Sequence, residues 1–220
     1  MITLALDAAT YAGSVAVLDD ARLVGERTVT MRGRDSESLM PAVAAVLAEC
    51  GVEPAQLGRV VCGAGPGSFT SLRIAGGIAK GLAMAIGIPL IPVSSLALVV
   101  ASAGLQSGRR YLAALDALRG EHYVELYEVA ADGDLVLLRP ARRVASSEVR
   151  RTAEQSDATL VGEGAAGGDA IPHARSVVLL TKMLDTTAPA DLARWEPSYG
   201  RLAEAQVKWE AEHGRPLVPG

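Results

Sequence analysis

The segment Gly65-Pro66-Gly67-Ser68-Phe69-Thr70 is the part of the chain best suited to holding an anion. Glycines permit tight backbone geometry, Ser68 or Thr70 can cap a following helix, and the amides at a helix start attract negative charge. The same residues also suit a tight strand-to-helix turn that binds nothing. A Walker A loop is excluded, because no Lys-Ser/Thr pair follows the glycines. Asp7 and Asp116 each close a short apolar run, Ile2 to Leu6 and Tyr111 to Leu115, where open sheets present ligand sites. After Asp7, Ala8-Ala9-Thr10 lacks the glycine that lets amides wrap a phosphate, and Ala117-Leu118-Arg119-Gly120 after Asp116 is similarly poor. A hairpin-capping role is the better reading of Asp116, and both readings stay open at Asp7.

Metal and hydrolase chemistry find little support. His122, His173 and His213 are far apart, with no HxxxH or HExxH pair, so no metal ligands are expected. No GxSxG elbow surrounds Ser68 or any other serine. Cys50 and Cys62 lack CxxC spacing and are expected to be buried free thiols.

The elements that must position these residues are legible from periodicity. Strands are expected at Ile2 to Leu6, Ser14 to Leu18 and Leu23 to Thr30. A helix follows over Ser36 to Cys50, stopped by Gly51 and Pro54. Then come a strand at Arg59 to Gly63, the glycine loop, a helix at Leu72 to Ile86, and a strand at Leu90 to Val93. Ser94 or Ser95 can cap one further helix. From Tyr111 the order begins again: a strand ending in aspartate, His122 to Val129, the turn Ala131-Asp132-Gly133, and Leu135 to Val144. A helix near Ser147 to Gln155, a strand at Thr159 to Val161, the stretch GEGAAGGD and a Trp-containing tail helix near Leu202 to His213 complete the pattern. The repetition points to a duplicated α/β unit with a shorter second copy. The boundary is placed near Gly108, giving lobes 1–108 and 109–220, the second closed by the tail helix.

Composition narrows the function classes. With 50% hydrophobic and 21% charged residues the chain reads as globular. A formal charge of −4 argues against a free-standing nucleic-acid binder, which needs a basic face. The first residues carry no basic segment and their apolar run stops at Asp7, so no signal peptide is expected. The apolar window from Leu72 to Val93 contains Arg73, Lys80, glycines and Pro89, which reads as a core helix and strand rather than a membrane span. A cytoplasmic location follows as an expectation.

Both helices of the first lobe are apolar over more than one stripe. Beside Leu39, Val43, Val46 and Cys50 stand Met40, Ala44 and Leu47. Ile74, Ile78, Leu82 and Ala85 share one side of the second helix, and Arg73, Gly77, Lys80, Gly81 and Met84 share the other. A helix covering a sheet needs one apolar stripe, so the excess implies a further contact. Each helical glycine costs about 1 kcal/mol relative to alanine, a loss that close approach of another backbone can offset. That backbone can belong to this chain or to another.

The segment GPGSFTSLRIA, Gly65 to Ala75, closely resembles the GPGSFTGLRIG signature of the TsaB (YeaZ) family. MITLALDAAT with SVAVL, SESLMPAV, PVSSLALVV, LDALRGEHYVELYE, LVGEGA and EPSYGRLAEA resemble further family segments, in order along the chain. Ser71 and Ala75 stand where the family usually has glycine, Gly200 where leucine is common, and Asp35 where histidine is frequent. The resemblance implies an actin-like (ASKHA, RNase H-like) fold. It also implies a non-catalytic scaffold that pairs through the first lobe's two helices with the ATPase-like subunit TsaD, or with itself as a homodimer. With the small ATPase TsaE, such a complex threonylcarbamoylates the adenosine just after the anticodon in tRNAs reading codons that begin with A. On this reading Met40, Ala44, Leu47, Gly77, Gly81 and Met84 form the interface, with Arg73 and Lys80 as neighbouring contacts. The chain then has no cofactor of its own, ATP and metal belong to TsaD, and tRNA is met only through the complex. A free-standing actin-like kinase or ATPase using Asp7, Thr10 and the Gly65–Thr70 loop is the competing enzyme reading, and a peptidase is a third.

Overall fold

Two sheets built on one plan position these residues. The computed structural model describes residues 1–31, 38–162, 170–200 and 213. β1 (Ile2–Asp7), β2 (Ala12–Asp19) and β3 (Arg22–Thr30) form an antiparallel meander. α1 (Leu39–Glu49) leads to β4 (Leu57–Gly63), parallel to β1, and α2 (Phe69–Ile86) to β5 (Leu90–Val93), parallel to β4. The order is β3-β2-β1-β4-β5. After α3 (Ser95–Ala103) the plan repeats as β6 (Arg110–Asp116), β7 (Glu121–Val129), β8 (Leu135–Ala145), α4 (Val149–Gln155) and β9 (Thr159–Gly162). That sheet runs β8-β7-β6-β9, with β9 parallel to β6 and no counterpart of β5 among the described residues. The architecture is the duplicated actin-like α/β fold.

The two faces of the first sheet are distinct, as strand alternation requires. Leu4, Leu6, Val15, Val17, Val60 and Cys62 point toward α1 and α2. Ala5, Ala16, Leu18, Val61, Ile91 and Val93 point the other way, into a core shared with α3 and with Tyr111, Leu115, Tyr123 and Tyr127 of the second sheet. α4 covers the far face of that sheet through Val149 and Ala153.

The boundary near Gly108 separates the sheets, but the later chain does not stay with the second one. Ala174–Leu179, a 3-10 turn, and α5 (Thr181–Thr186) return to the first sheet. There Ser14 Oγ accepts from the Ala174 amide, and Val177, Leu180 and Leu184 enter the shared core. Farther on, the Ala190 amide donates to the Leu90 carbonyl beside β5. Residues 170–200 thus form a strap across the first lobe. The expected tail helix lies outside the described residues, apart from His213, as do Asp35 and most of the GEGAAGGD stretch.

α2 seats itself differently from the periodicity reading. Its buried stripe is Leu72, Ala75, Gly76, Ala79 and Ala83, while Ile74, Ile78 and Leu82 are only partly covered and Ala85 is exposed. Small side chains let the helix axis approach the sheet closely, which pushes the larger aliphatics to its flank. By length and composition the helix could cross a bilayer. Here that small-residue stripe rests on β4, and Gly87 ends the helix in a left-handed cap before β5.

Candidate functional site

Asp7 is fully buried at the end of β1. Ser95 Oγ donates to its Oδ2 at 2.6 Å, and the Ala9 amide donates to Oδ1 at 3.0 Å. Burial pushes the carboxyl up to about 6, with these two hydrogen bonds pulling the other way. The glycine loop closes on the same group. The Gly65 amide donates to Ser95 Oγ at 3.2 Å, the Ser95 amide returns to the Gly65 carbonyl at 2.9 Å, and a Cβ on Gly63 would strike the Asp7 carboxyl. The Ser68 amide donates to the Ala9 carbonyl at 2.7 Å, and the Ala9 backbone fills the space a Cβ on Gly67 would need. Thr10 turns inward on its own hairpin, its Oγ1 accepting from the Ala12 amide at 3.2 Å. Ser68 stands at the N-cap of α2 without capping it, its hydroxyl instead 3.0 Å from that of Ser71. Thr70 is exposed.

The end of the strap lies over this loop. Ser198 donates its amide to the Ala64 carbonyl at 2.7 Å, and its own carbonyl sits where a Cβ on Gly65 would be. Pro197 and Trp195 pack on Gly76 of α2, and Lys80 Nζ donates to the Trp195 carbonyl at 3.0 Å. Tyr199 rests against Phe69 with ring centroids 4.5 Å apart, while the Tyr123 hydroxyl donates to the Tyr199 carbonyl. A second link between lobes centres on Glu125 of β7, which accepts from Ser94 Oγ and from the Tyr127 hydroxyl, both at 2.5 Å. Burial raises its pKa against those bonds.

Of the residues expected on a partner surface, Met40, Ala44, Gly77, Gly81 and Met84 lie exposed on α1 and α2, and Arg73 is exposed at the start of the same ridge. Nothing comes within 4 Å of a Cβ built on Gly77 or Gly81, so no part of the described chain approaches there. Leu47 is a correction: at 5% exposure it belongs to the core with Val43 and Val46, because α1 turns that side onto β2 and β3. Lys80 is half-buried and already committed to the strap.

Comparison with known proteins places this geometry. A family model described as "TsaD: tRNA N6-adenosine threonylcarbamoyltransferase" matches residues 32–154. The Bacillus subtilis protein named "tRNA threonylcarbamoyladenosine biosynthesis protein TsaB" is 30% identical over 95% of this chain and 98% of its own length. The chain belongs to the TsaB family. An Escherichia coli protein of the same name is 37% identical over 60% of this chain and 58% of its own. The solved structure "YeaZ from Pseudomonas aeruginosa" superposes with a TM-score of 0.77 at 28% identity, covering 90% of this chain and 99% of that one.

The family departures have structural reasons. Ala75, where TsaB sequences usually have glycine, is buried against the sheet with room for its methyl. Gly200, where leucine is common, has a φ of +66° beside Pro66, and a Cβ there would meet the Tyr123 ring. Elsewhere Asp116 is exposed and accepts from the Leu118 amide at 2.8 Å. His122 Nδ1 lies 3.0 Å from Ser146 Oγ, and His173 is buried against Thr28. No three metal-binding side chains gather among the described residues. Cys62 is buried and Cys50 only half-buried, both free. Periodicity missed three participants. Ser95 was legible as one of two adjacent serines, only one of which can cap; Ser94 does so, accepting from the Leu96 amide. Glu125 and the strap carried no local signal.

Proposed function

We propose that this TsaB-family chain is a non-catalytic scaffold in tRNA threonylcarbamoyladenosine formation. It pairs through α1 and α2 with a TsaD-type subunit, and a TsaE-type ATPase acts on the pair. ATP, metal and tRNA chemistry then belong to the partners, and this chain holds no cofactor, sits in the cytoplasm, and can pair with itself when alone. The observation that carries this reading is a contrast between the two ends of α2. At its start, the groups that would serve an actin-like active site serve the fold: Asp7 is sealed by Ser95 and Ala9, and the Ala9 backbone and the strap fill the glycine loop. Farther along, the described residues leave uncovered an apolar ridge with two open glycines and Met84 at 65% exposure. Helix faces of this kind are completed by close approach of another helix.

Affinity co-purification with the TsaD-type subunit of the same organism tests the reading. Met84→Glu places a charge on exposed surface, so the fold survives and pairing should fall at least tenfold. Titration of the isolated chain with magnesium-ATP should give no binding heat. Unchanged pairing of the variant, or ATP turnover by the isolated chain, would return the protein to the kinase or ATPase reading.

A further inference from the structure

Two adjacent serines at the start of α3 reach into different lobes. Ser95 Oγ donates to Asp7 of β1, and Ser94 Oγ donates to Glu125 Oε2 of β7 at 2.5 Å. Each hydroxyl also accepts a backbone amide, from Gly65 at Ser95 and from Leu96 at Ser94, both at 3.2 Å. The start of α3 is therefore a node. One arm fixes the glycine loop of the first lobe, and the other grips the second sheet.

The second lobe is shaped around Glu125. It is 7% exposed and lies between Tyr123 and Tyr127 on the face that packs on α3. The β7–β8 ladder slips between Val124 and Leu126, which face Arg142 and Arg139, so β8 fits an extra residue opposite Glu125. That bulge brings the Ala141 amide to the carboxyl as a third donor, beside Ser94 and the Tyr127 hydroxyl. Two further charged groups lie near the node. Arg143 stands opposite Tyr123 with its guanidinium 3.1 Å from Glu121, and Asp7 belongs to the Ser95 arm. A well-packed apolar side chain would close the same interface without desolvating a carboxyl. What a carboxyl adds is a proton. Burial raises the Glu125 pKa against its three hydrogen bonds, so parting the lobes, which returns the group to water, also releases a proton. We propose that the Ser94–Glu125 contact is a proton-dependent latch between the lobes, tight while the carboxyl is protonated and loosened once it ionises. Its contribution is full below the ordinary carboxyl value of 4.5 and is lost as pH rises through the raised value. The latch goes beyond the scaffold reading, because it governs how firmly the lobes are held whichever partner α1 and α2 take.

Residue-resolved amide exchange by NMR, corrected for the intrinsic pH dependence of exchange, tests this on one reporter in each arm. The Leu98 amide of α3 donates to the Ser94 carbonyl, and the Ala141 amide of β8 donates to Glu125. Every protein carries Asp7→Asn, so that Glu125 is the carboxyl of this node left to titrate. Protection at both amides should fall together by at least threefold between pH 4.5 and 8, while amides shared by β1 and β2 hold. The fall should vanish in Glu125→Gln, which keeps an acceptor oxygen and cannot ionise. Ser94→Ala separates the arms: Ala141 should still follow pH and Leu98 should not, a test that stands even if Glu125→Gln does not fold. Flat protection overturns the inference, as does a fall at only one of the two amides or an equal fall in β1 and β2. So does a fall that survives in Glu125→Gln, or Leu98 still following pH in Ser94→Ala.

Discussion

The two lobes run their first strands in the same order and end the first of them in aspartate, yet they use that aspartate in opposite ways. Asp7 is buried, keeps its proton up to about pH 6, and is walled in by the glycine loop and the strap. Asp116 is exposed and merely turns a hairpin, with Leu118 and Arg119 both held at positive φ. The first lobe adds β5 and two long helices, whereas among the described residues the second sheet stops at β9 and a helix of seven residues covers one face. Duplication preserved the strand plan. What differs is where each copy places its polar and apolar groups: the first lobe seals its strand ends and turns a helix face outward.

Substitutions in both lobes probe that division, and the largest effect belongs to Leu47. Leu47→Glu forces a charge into the layer between α1 and the sheet and should cost about 4 kcal/mol or more. Thermal unfolding by circular dichroism would show the chain unfolded or strongly destabilised, while Met84→Glu on the neighbouring helix leaves Tm nearly unchanged. A small shift for Leu47→Glu would mean that α1 does not hold its inner face as described.

Next comes Asp7→Asn. A carboxyl whose folded pKa is about 6, against an ordinary 3.8, favours the folded state fully below pH 4 and loses that contribution as pH rises through 6. Above that range the ionised group costs up to about 3 kcal/mol, because a tenfold change in proton affinity on folding is worth about 1.4 kcal/mol. The asparagine variant should therefore gain on wild type between pH 4 and 6 and keep the advantage at pH 8, as urea unfolding at a series of pH values would show. A variant less stable than wild type at pH 8 would place Asp7 among ionised groups that stabilise the fold.

Gly67→Ala sets a methyl into the Ala9 backbone and should cost roughly 2–3 kcal/mol. Gly120→Ala in the second hairpin meets open space and bears only the strain of φ +75°, roughly 1 kcal/mol. Equal midpoints in denaturant for the pair would erase the contrast between a packed loop and a free one. The smallest effect is a gain. Gly77→Ala and Gly81→Ala lie on open helix surface and should each stabilise the isolated chain by about 1 kcal/mol or less. Measured in parallel, pairing with the TsaD-type subunit should weaken, because the added methyls hold the second helix away.

Much of the fold was readable because its signals are local. The alternation in Ile2–Asp7, the glycine stop at Gly87 and the repeated strand order in Tyr111–Val129 each sit within a few residues. The helix faces were harder. Leu47 and Ile78 are both large and apolar, and periodicity cannot say which of two adjacent stripes meets the sheet; the small side chains at Ala75, Ala79 and Ala83 decide it by allowing close approach. The sealing of Asp7 was out of reach for another reason. Ser95 is 88 residues away and Ser198 farther still, so that arrangement exists only once distant segments meet.

The returning strap has a consequence for how the molecule comes into being. While a ribosome is still threading out the second sheet, the β2 face that carries Ser14, Ala16 and Leu18 still lacks the strap, which arrives with the last thirty or so residues of the described chain. Splitting the gene at the junction between the sheets would thus yield no pair of self-sufficient halves. The older half needs the younger one's tail to close.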